Sequence, residues 1–410
     1  MATPGAAVGA DASRWIALAL ICIAVVLSMT TWFSATAITQ ELQRDLSLSP
    51  AVLPWLTNGV QIGFVIGALA ASLVSLPDVV RLGRLMAVSA GLAAFANLLL
   101  LTEPGPAMLI ALRVATGIAL AGVYPPALKF VATWFVSGRG LALGAVIGAL
   151  TLGSSLPHLF RALSANFAWQ SVVIAASAAT LAGAALFLAA KEGPHAFSQA
   201  KFDPRQVGLV LRDRPLLLAT IGYLGHMWEL YAMWAWLLFY IGVAPILRAT
   251  GPANLASLVT FAAIAGGALG CLLGGTISDR FGRTATTAGM MIVSGACALA
   301  IGFAFEGPAW LFILIILVWG ISVIGDSAQF SAAVTELADR RYVGTALSVQ
   351  LGLGFALTVI VIWLIPIVAD ALGSWRWSFL ILVPGPVIGA LAMLRLRTLP
   401  DSRKLAGGRR

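Results

Sequence analysis

The sequence predicts an all-α integral membrane protein, with twelve transmembrane helices in two six-helix halves. Three observations carry this. Of the 410 residues, 60% are hydrophobic and 10% charged, against about 45–50% and 25% in ordinary globular domains. The apolar residues fall into runs of the length a helix needs to cross a hydrocarbon core, about 20 residues, not into the alternating ten-residue segments of a barrel. Finally, the stretch 274–284, GGTISDRFGRT, has a looser counterpart at 76–85, LPDVVRLGRL. Asp78 answers to Asp279 and Gly83-Arg84 to Gly282-Arg283, at separations of 279 − 78 = 201 and 283 − 84 = 199 residues. A repeat at half the chain length is the signature of a duplicated unit.

The predicted spans are 15–38, 51–76, 85–102, 107–135, 141–163, 169–190, 215–242, 255–277, 285–305, 309–336, 345–369 and 376–398. Ser34-Ala35-Thr36-Ala37 fits a signal-peptidase site, but the first run is longer than a signal core and reads as a membrane helix. The widest interruption, 191–214, carries charge of both signs and prolines at 194 and 204, with a third at 215. It is expected to be a cytoplasmic linker, with a short surface helix near Pro204 to Leu211, between halves at 1–190 and 215–410. The repeat continues inside the spans: Gly117 and Gly122 of the fourth answer to Gly320 and Gly325 of the tenth, an offset of 320 − 117 = 203.

Orientation follows from Lys and Arg. With the N-terminus cytoplasmic, 19 of the 25 lie on the cytoplasmic side, Lys201 and Arg340 among them. Arg44, Arg161, Arg248 and Arg376 lie on the other, and Arg113 and Lys129 sit within the fourth span. That asymmetry places both termini in the cytoplasm of a prokaryote, with the chain in its inner membrane. The net charge of +9 is then a topology signal and does not imply a nucleic-acid partner. Cys22, Cys271 and Cys297 lie inside apolar runs, so no disulfide framework is expected. No nucleophile–base pair, metal-ligand cluster or nucleotide-binding motif is visible, so no enzyme, cofactor or metal site is expected.

GGTISDRFGRT resembles the loop signature of the major facilitator superfamily, which follows the second helix and recurs after the eighth. The copy at 76–85 departs from it by two extra residues between Asp78 and Gly83. The resemblance implies a monomeric transporter with a central cavity, gated by Asp78, Arg84, Asp279, Arg280 and Arg283. RVATGIALAG, from Arg113, resembles the superfamily's fourth-helix motif, whose arginine is linked to proton handling or cavity structure. The fifth span partly resembles the antiporter motif but lacks its Gly-Pro and final glycine pair, so drug/proton antiport is not supported. Trp134-Phe135 followed by Gly138-Arg139-Gly140-Leu141-Ala142-Leu143-Gly144 is similar to branches that carry small anions. The arginines of the nitrate branch and the basic residues of the oxalate-like branch have no counterpart here.

Charged side chains at mid-bilayer cost roughly 2.5–3.5 kcal/mol on insertion scales and usually face a cavity or partner. In the seventh span His226, Glu229, Met233, Trp236 and Tyr240 share one stripe at helical spacing, and Glu229 and His226 are close enough to hydrogen-bond. In the tenth, Asp326 shares a face with Trp319, Ser322 and Gln329, or caps a break at Gly325. Glu229, His226 and Asp326 are the candidate proton carriers. Arg113, Leu120 and Tyr124 line the fourth span before Pro125-Pro126 bends it, and Lys129 is expected to snorkel at the boundary. In the fifth, Thr151, Ser154, Ser155, His158 and Arg161 share a face, and Gly144, Gly148 and Gly153 offer a packing surface. The candidate substrate-binding residues are Arg113, Tyr124, His158, Trp236, Tyr240, Gln61 and Gln350. The expected function is secondary active transport of a small solute, an organic anion on Arg113 and His158, coupled to protons. The alternative is a sensor or assembly partner of the same fold that no longer pumps.

Overall fold

A computed structural model describes residues 4–135, 139–164, 167–195, 204–250, 252, 254–339 and 341–410. Gly138, Lys201 and Arg340, and the side chains of Arg139, Pro204 and Arg248, lie outside the described residues. Among the described residues eleven helical segments are long and apolar enough to cross a membrane: Ser13–Thr31, Pro50–Leu73, Leu82–Thr102, Pro106–Trp134, Gly140–Leu163, Gln170–Ala189, Leu255–Phe281, Arg283–Ala304, Ala309–Leu337, Val343–Ala371 and Ser378–Arg397. The remaining span, the seventh, is Arg214–Val243, 30 residues long. It is less apolar because it carries three tryptophans, three tyrosines, His226 and Glu229. Most of these face protein instead of lipid, so its mean hydropathy underreports its place in the bundle. Large apolar side chains such as Leu92, Phe95, Ile292 and Leu391 are exposed on the outer surface, as a lipid-facing helix requires.

The duplicated pattern becomes a duplicated packing geometry. A Cβ on Gly117 would meet the carbonyl of Val60 at 2.1 Å, and one on Gly320 would meet that of Ala263 at 2.1 Å. Both partners keep one offset, since 320 − 117 = 203 and 263 − 60 = 203. Gly67 against Ile118 and Gly270 against Ile321 repeat the relation. In each half, therefore, the second helix and the fourth approach until backbone touches backbone, which only glycine permits.

Both fourth-position helices break where the sequence places small residues before a polar one. The fourth span runs Pro106–Ala121 and resumes at Tyr124–Trp134. The tenth runs Ala309–Gly325 and resumes at Ser327–Leu337. Asp326 stands at that break but its side chain caps nothing. The first span loosens into 3-10 turns at Met29–Thr31 and Thr36–Ile38. The second ends at Leu73, short of the expected residue 76, because Ser75 adopts φ 49° and starts the four-residue helix Leu76–Val79. The first span is packed as a bundle member, with Gly153 against Val26 and Gly183 against Ala24 and Ser28.

The 191–214 segment is described in part. Its start is tied down: Glu192 accepts from Leu82 N at 2.8 Å, Gly193 N donates to Thr133 Oγ1 at 2.8 Å, and Trp134 Nε1 donates to the Lys191 carbonyl at 3.0 Å. A short helical stretch follows at Pro204–Gln206 and Val207–Arg212, where the surface helix is expected. The last residues fold back under the second half. Leu405 and Ser402 are buried, and the carbonyl of Arg410 accepts from Thr284 N, Thr284 Oγ1 and Arg397 Nη1. Gly282, at φ 92°, presses against this tail; a Cβ there would lie 2.1 Å from the Arg410 carbonyl.

Candidate functional site

The halves meet along the fifth and eighth spans and along the second and eleventh. Along the fifth and eighth spans, a Cβ on Gly144 would touch the carbonyl of Cys271 at 3.8 Å and one on Gly148 would meet Ala268 from 3.6 Å. At mid-depth six rings interlock. Trp32 and Phe33 leave the first span, Phe64 comes from the second, Tyr231 and Trp234 from the seventh, and Phe355 from the eleventh. Trp32 stacks on Tyr231 with centroids 5.9 Å apart, Phe64 meets Phe355 at 4.6 Å, and Phe33 meets Trp234 edge-on at 5.9 Å. Each of these pairs crosses from one half to the other. The indole N–H groups of Trp32 and Trp234 are buried without a hydrogen-bond partner, as are both amide atoms of Gln61, one turn from Phe64. Buried polar atoms are usually paired, so a cluster of unpaired ones is a place where a ligand can be satisfied.

Away from the termini this ring layer gives way to a cavity of about 250 Å³. Thr36, Thr39, Thr57 and Arg161 line it from the first half, and Trp236, Phe239, Asn254 and Ser257 from the second. Thr36, Thr57 and Trp236 continue the elements that supply the rings, one to two helical turns further out. The Trp236 indole is fixed by donating to the Ile362 carbonyl at 2.8 Å.

Arg113 is wholly buried, and five neutral acceptors take its N–H groups. Nε donates to the Leu56 carbonyl at 3.0 Å, and Nη1 to Ser34 Oγ and Asn97 Oδ1 at 3.3 Å each. Nη2 donates to the carbonyls of Thr31 at 3.1 Å and Trp32 at 2.5 Å. The guanidinium thus holds the loosened end of the first span, including the backbone that presents Trp32. With its donors spent on protein, Arg113 positions the ring layer and has none to spare for a substrate.

The seventh-span stripe divides differently from the pairing read in the sequence. His226 Nδ1 lies 2.8 Å from Asp326 Oδ1, across to the tenth span. Glu229 instead accepts from Ser294 Oγ at 2.8 Å and from Trp319 Nε1 at 2.7 Å. Glu229 and His226 are therefore separate buried sites, not a pair, because the ninth and tenth spans each offer a closer partner. Tyr240 donates to the Arg376 carbonyl at 2.9 Å and Gln350 Nε2 to that of Ala219 at 3.5 Å, both structural contacts. Tyr124 is half-buried just past the break in the fourth span. His158 is fully buried and neither ring nitrogen has a hydrogen-bond partner.

Two of the loop residues, Asp78 and Arg283, form ion pairs, each within its own half. Asp78 pairs with Lys129, whose ammonium also donates to the Pro77 carbonyl at 2.8 Å, so Lys129 is bound and does not snorkel. Arg283 grips both oxygens of Glu336, at 2.8 and 2.5 Å, and donates to Gln329 Oε1 at 2.7 Å. Arg84, Asp279 and Arg280 are exposed; Arg280 lies over the Phe281 ring at 5.4 Å, and the Asp279 carbonyl accepts from Arg409.

This architecture is that of a membrane transporter whose two halves meet around a central cavity. The chain matches the Major Facilitator Superfamily profile over residues 20–350 and again over 231–410, and it belongs to that family. A gallate transporter of Pseudomonas putida is 24% identical over 383 residues, 84% of this chain and 83% of that protein. A 3-(3-hydroxy-phenyl)propionate transporter of Escherichia coli is 29% identical over 143 residues, 34% of this chain and 33% of that one. Among solved structures, a bacterial homolog of the human lysosomal transporter Spinster superimposes with a TM-score of 0.72 at 15% identity, covering 95% of this chain and 97% of that chain. A proton:xylose symporter does so at 0.72 and 14%, covering 94% and 96%.

Proposed function

We propose that the protein imports a small aromatic carboxylic acid together with protons, across the inner membrane of a bacterium and with both termini in the cytoplasm. The observation that carries this reading is the ring layer at the floor of the cavity. Six aromatic side chains from both halves surround unpaired indole N–H groups and an unpaired amide. Rings match a planar aromatic substrate by stacking, and the free donors match its carboxylate and hydroxyl oxygens. The names of the gallate and hydroxyphenylpropionate transporters agree with that class.

Alternating access follows from the same geometry. The cavity lies at the end away from the termini, the ring layer forms its floor, and the fifth–eighth contact closes the other end. Substrate entering the cavity parts the rings that cross between the halves, and rocking of the halves then opens the terminal end. Glu229 and the His226–Asp326 pair, buried in the second half, carry the coupled protons, and a monomer holds all of these groups. No observation favours a sensor that does not transport.

The test is uptake of radiolabelled gallate and 3-(3-hydroxyphenyl)propionate into proteoliposomes under an imposed proton gradient. Accumulation that collapses with a protonophore supports the reading. Binding and uptake of neither acid, in a preparation that melts cooperatively, would reject it.

A further inference from the structure

We infer that Arg161 forms an outer subsite at the mouth of the cavity, where its guanidinium captures the substrate carboxylate by displacing Glu41. This deepens the proposed function and rests on it. Among the described residues that line the cavity, Arg161 and Glu41 alone are charged. Arg161 comes from the last turn of the fifth span. Glu41 comes from the seven-residue helix Thr39–Asp45 that follows the first span.

The pairing between them leaves the guanidinium underused. Nε donates to Glu41 Oε1 at 2.5 Å, and Nη2 approaches that same oxygen. The edge of an arginine that carries Nε and Nη2 matches the two oxygens of one carboxylate in a parallel, two-point grip. Here both donors converge on one oxygen, so the better geometry stays available to an incoming acid. Nη1 donates to the Ser164 carbonyl at 3.3 Å, which anchors the guanidinium while its other edge changes partner. Both side chains are only partly covered, at 22% and 17% exposed. Water therefore reaches both partners at the mouth and can solvate either one when the pair opens. Released, Glu41 can turn to the water at the mouth.

What surrounds the pair fits the rest of an aromatic acid. Trp236 and Phe239 give an apolar wall, while Thr36, Thr57, Asn254 and Ser257 offer partners for ring hydroxyls. One helical turn deeper on the fifth span, His158 has both ring nitrogens unpartnered. A carboxylate held at Arg161 therefore has a polar next step towards the ring layer. In this arrangement Glu41 serves as an internal counterion that keeps the subsite occupied and selects against weaker anions.

The experiment measures equilibrium binding of radiolabelled gallate and 3-(3-hydroxyphenyl)propionate to the full chain in lipid nanodiscs. The primary amides of the two acids serve as competitors. Arg161→Gln should weaken binding of the acids about ten-fold or more and leave the amides within two-fold, with Arg161→Lys intermediate. Glu41→Gln should tighten binding of the acids several-fold and leave the amides unchanged. Unchanged acid affinity in a folded Arg161→Gln protein overturns the inference. If that variant does not fold, unchanged acid affinity in Glu41→Gln overturns it instead. If the parent protein binds neither acid, the functional reading falls first; if the parent binds and the variants do not differ from it, this subsite alone falls.

Discussion

His226 and Asp326 stand 2.8 Å apart across the seventh and tenth spans, and Glu229, one turn along the same helix, binds elsewhere. The second half therefore holds two separate protonatable sites in low-dielectric surroundings, where an ionised side chain needs a partner to remain charged. One is an imidazole–carboxylate pair. The other is a carboxyl with two neutral donors, Ser294 and Trp319.

Glu229→Gln is expected to abolish accumulation driven by a proton gradient while substrate exchange between equal pools continues. Exchange requires no net proton movement. The amide oxygen can keep the Trp319 N–H while its NH₂ donates to Ser294 Oγ, whose proton turns to the Met291 carbonyl, so the variant should melt close to the parent. Accumulation equal to the parent would assign Glu229 a structural role and pass the proton to Asp326.

The His226–Asp326 pair predicts coupling. His226→Ala and Asp326→Asn, each alone and together, should give a non-additive change in melting stability, of roughly 0.5–3 kcal/mol. Both single variants should also displace the pH profile of uptake. Strict additivity combined with an unmoved profile would mean that the contact carries no function.

Arg113→Lys should be strongly destabilising, by roughly 3 kcal/mol or more, because an ammonium cannot serve acceptors spread over three spans and leaves several of them buried and unpaired. Melting of the purified protein in detergent measures this. A variant as stable as the parent would show that water replaces the guanidinium.

The glycine contacts predict a clean comparison. A Cβ on Gly270 would sit 1.9 Å from the Ile321 carbonyl, whereas one on Gly275 meets nothing within 4 Å. Gly270→Ala should cost about 1–3 kcal/mol and separate the eighth span from the tenth, while Gly275→Ala is neutral. Equal effects would refute the backbone-to-backbone packing.

Topology is tested with two exposed positions, Arg403 near the C-terminus and Glu103 in the turn after the third span. In a cysteine-free background on intact cells, an impermeant thiol reagent should label Glu103→Cys and spare Arg403→Cys. The opposite pattern would invert the orientation.

Much of the fold is legible in the sequence because the determinants are local and repeated. The run lengths, the glycine pairs at an offset of 203 and the break at Gly325 each leave a mark that survives in the packing, whereas the fourth span breaks at Gly122, just before the Pro125-Pro126 expected to bend it. The seventh helix is recognisable by its length and polar stripe although its hydropathy is low. The candidate site is less legible. Trp32, Phe64, Tyr231 and Phe355 are aromatic residues in apolar helices, and nothing local distinguishes an inward ring from one that faces lipid. Partner choice is equally hidden. Glu229 and His226 are close in sequence, yet helices up to 100 residues away supply their contacts, and Glu41 and Arg161 meet over a separation of 120 residues.

The acceptors of Arg113 also bear on biogenesis. All five belong to residues 31 to 97, so every one has been synthesised before the arginine itself. When the fourth helix leaves the translocon, its cation can pass sideways into a waiting cradle formed by the preceding three helices and need not face acyl chains alone. The order of translation thus spares the nascent chain an exposed charge. A circular permutation that placed the fourth helix first would remove that protection, although the finished protein would contain the same bonds.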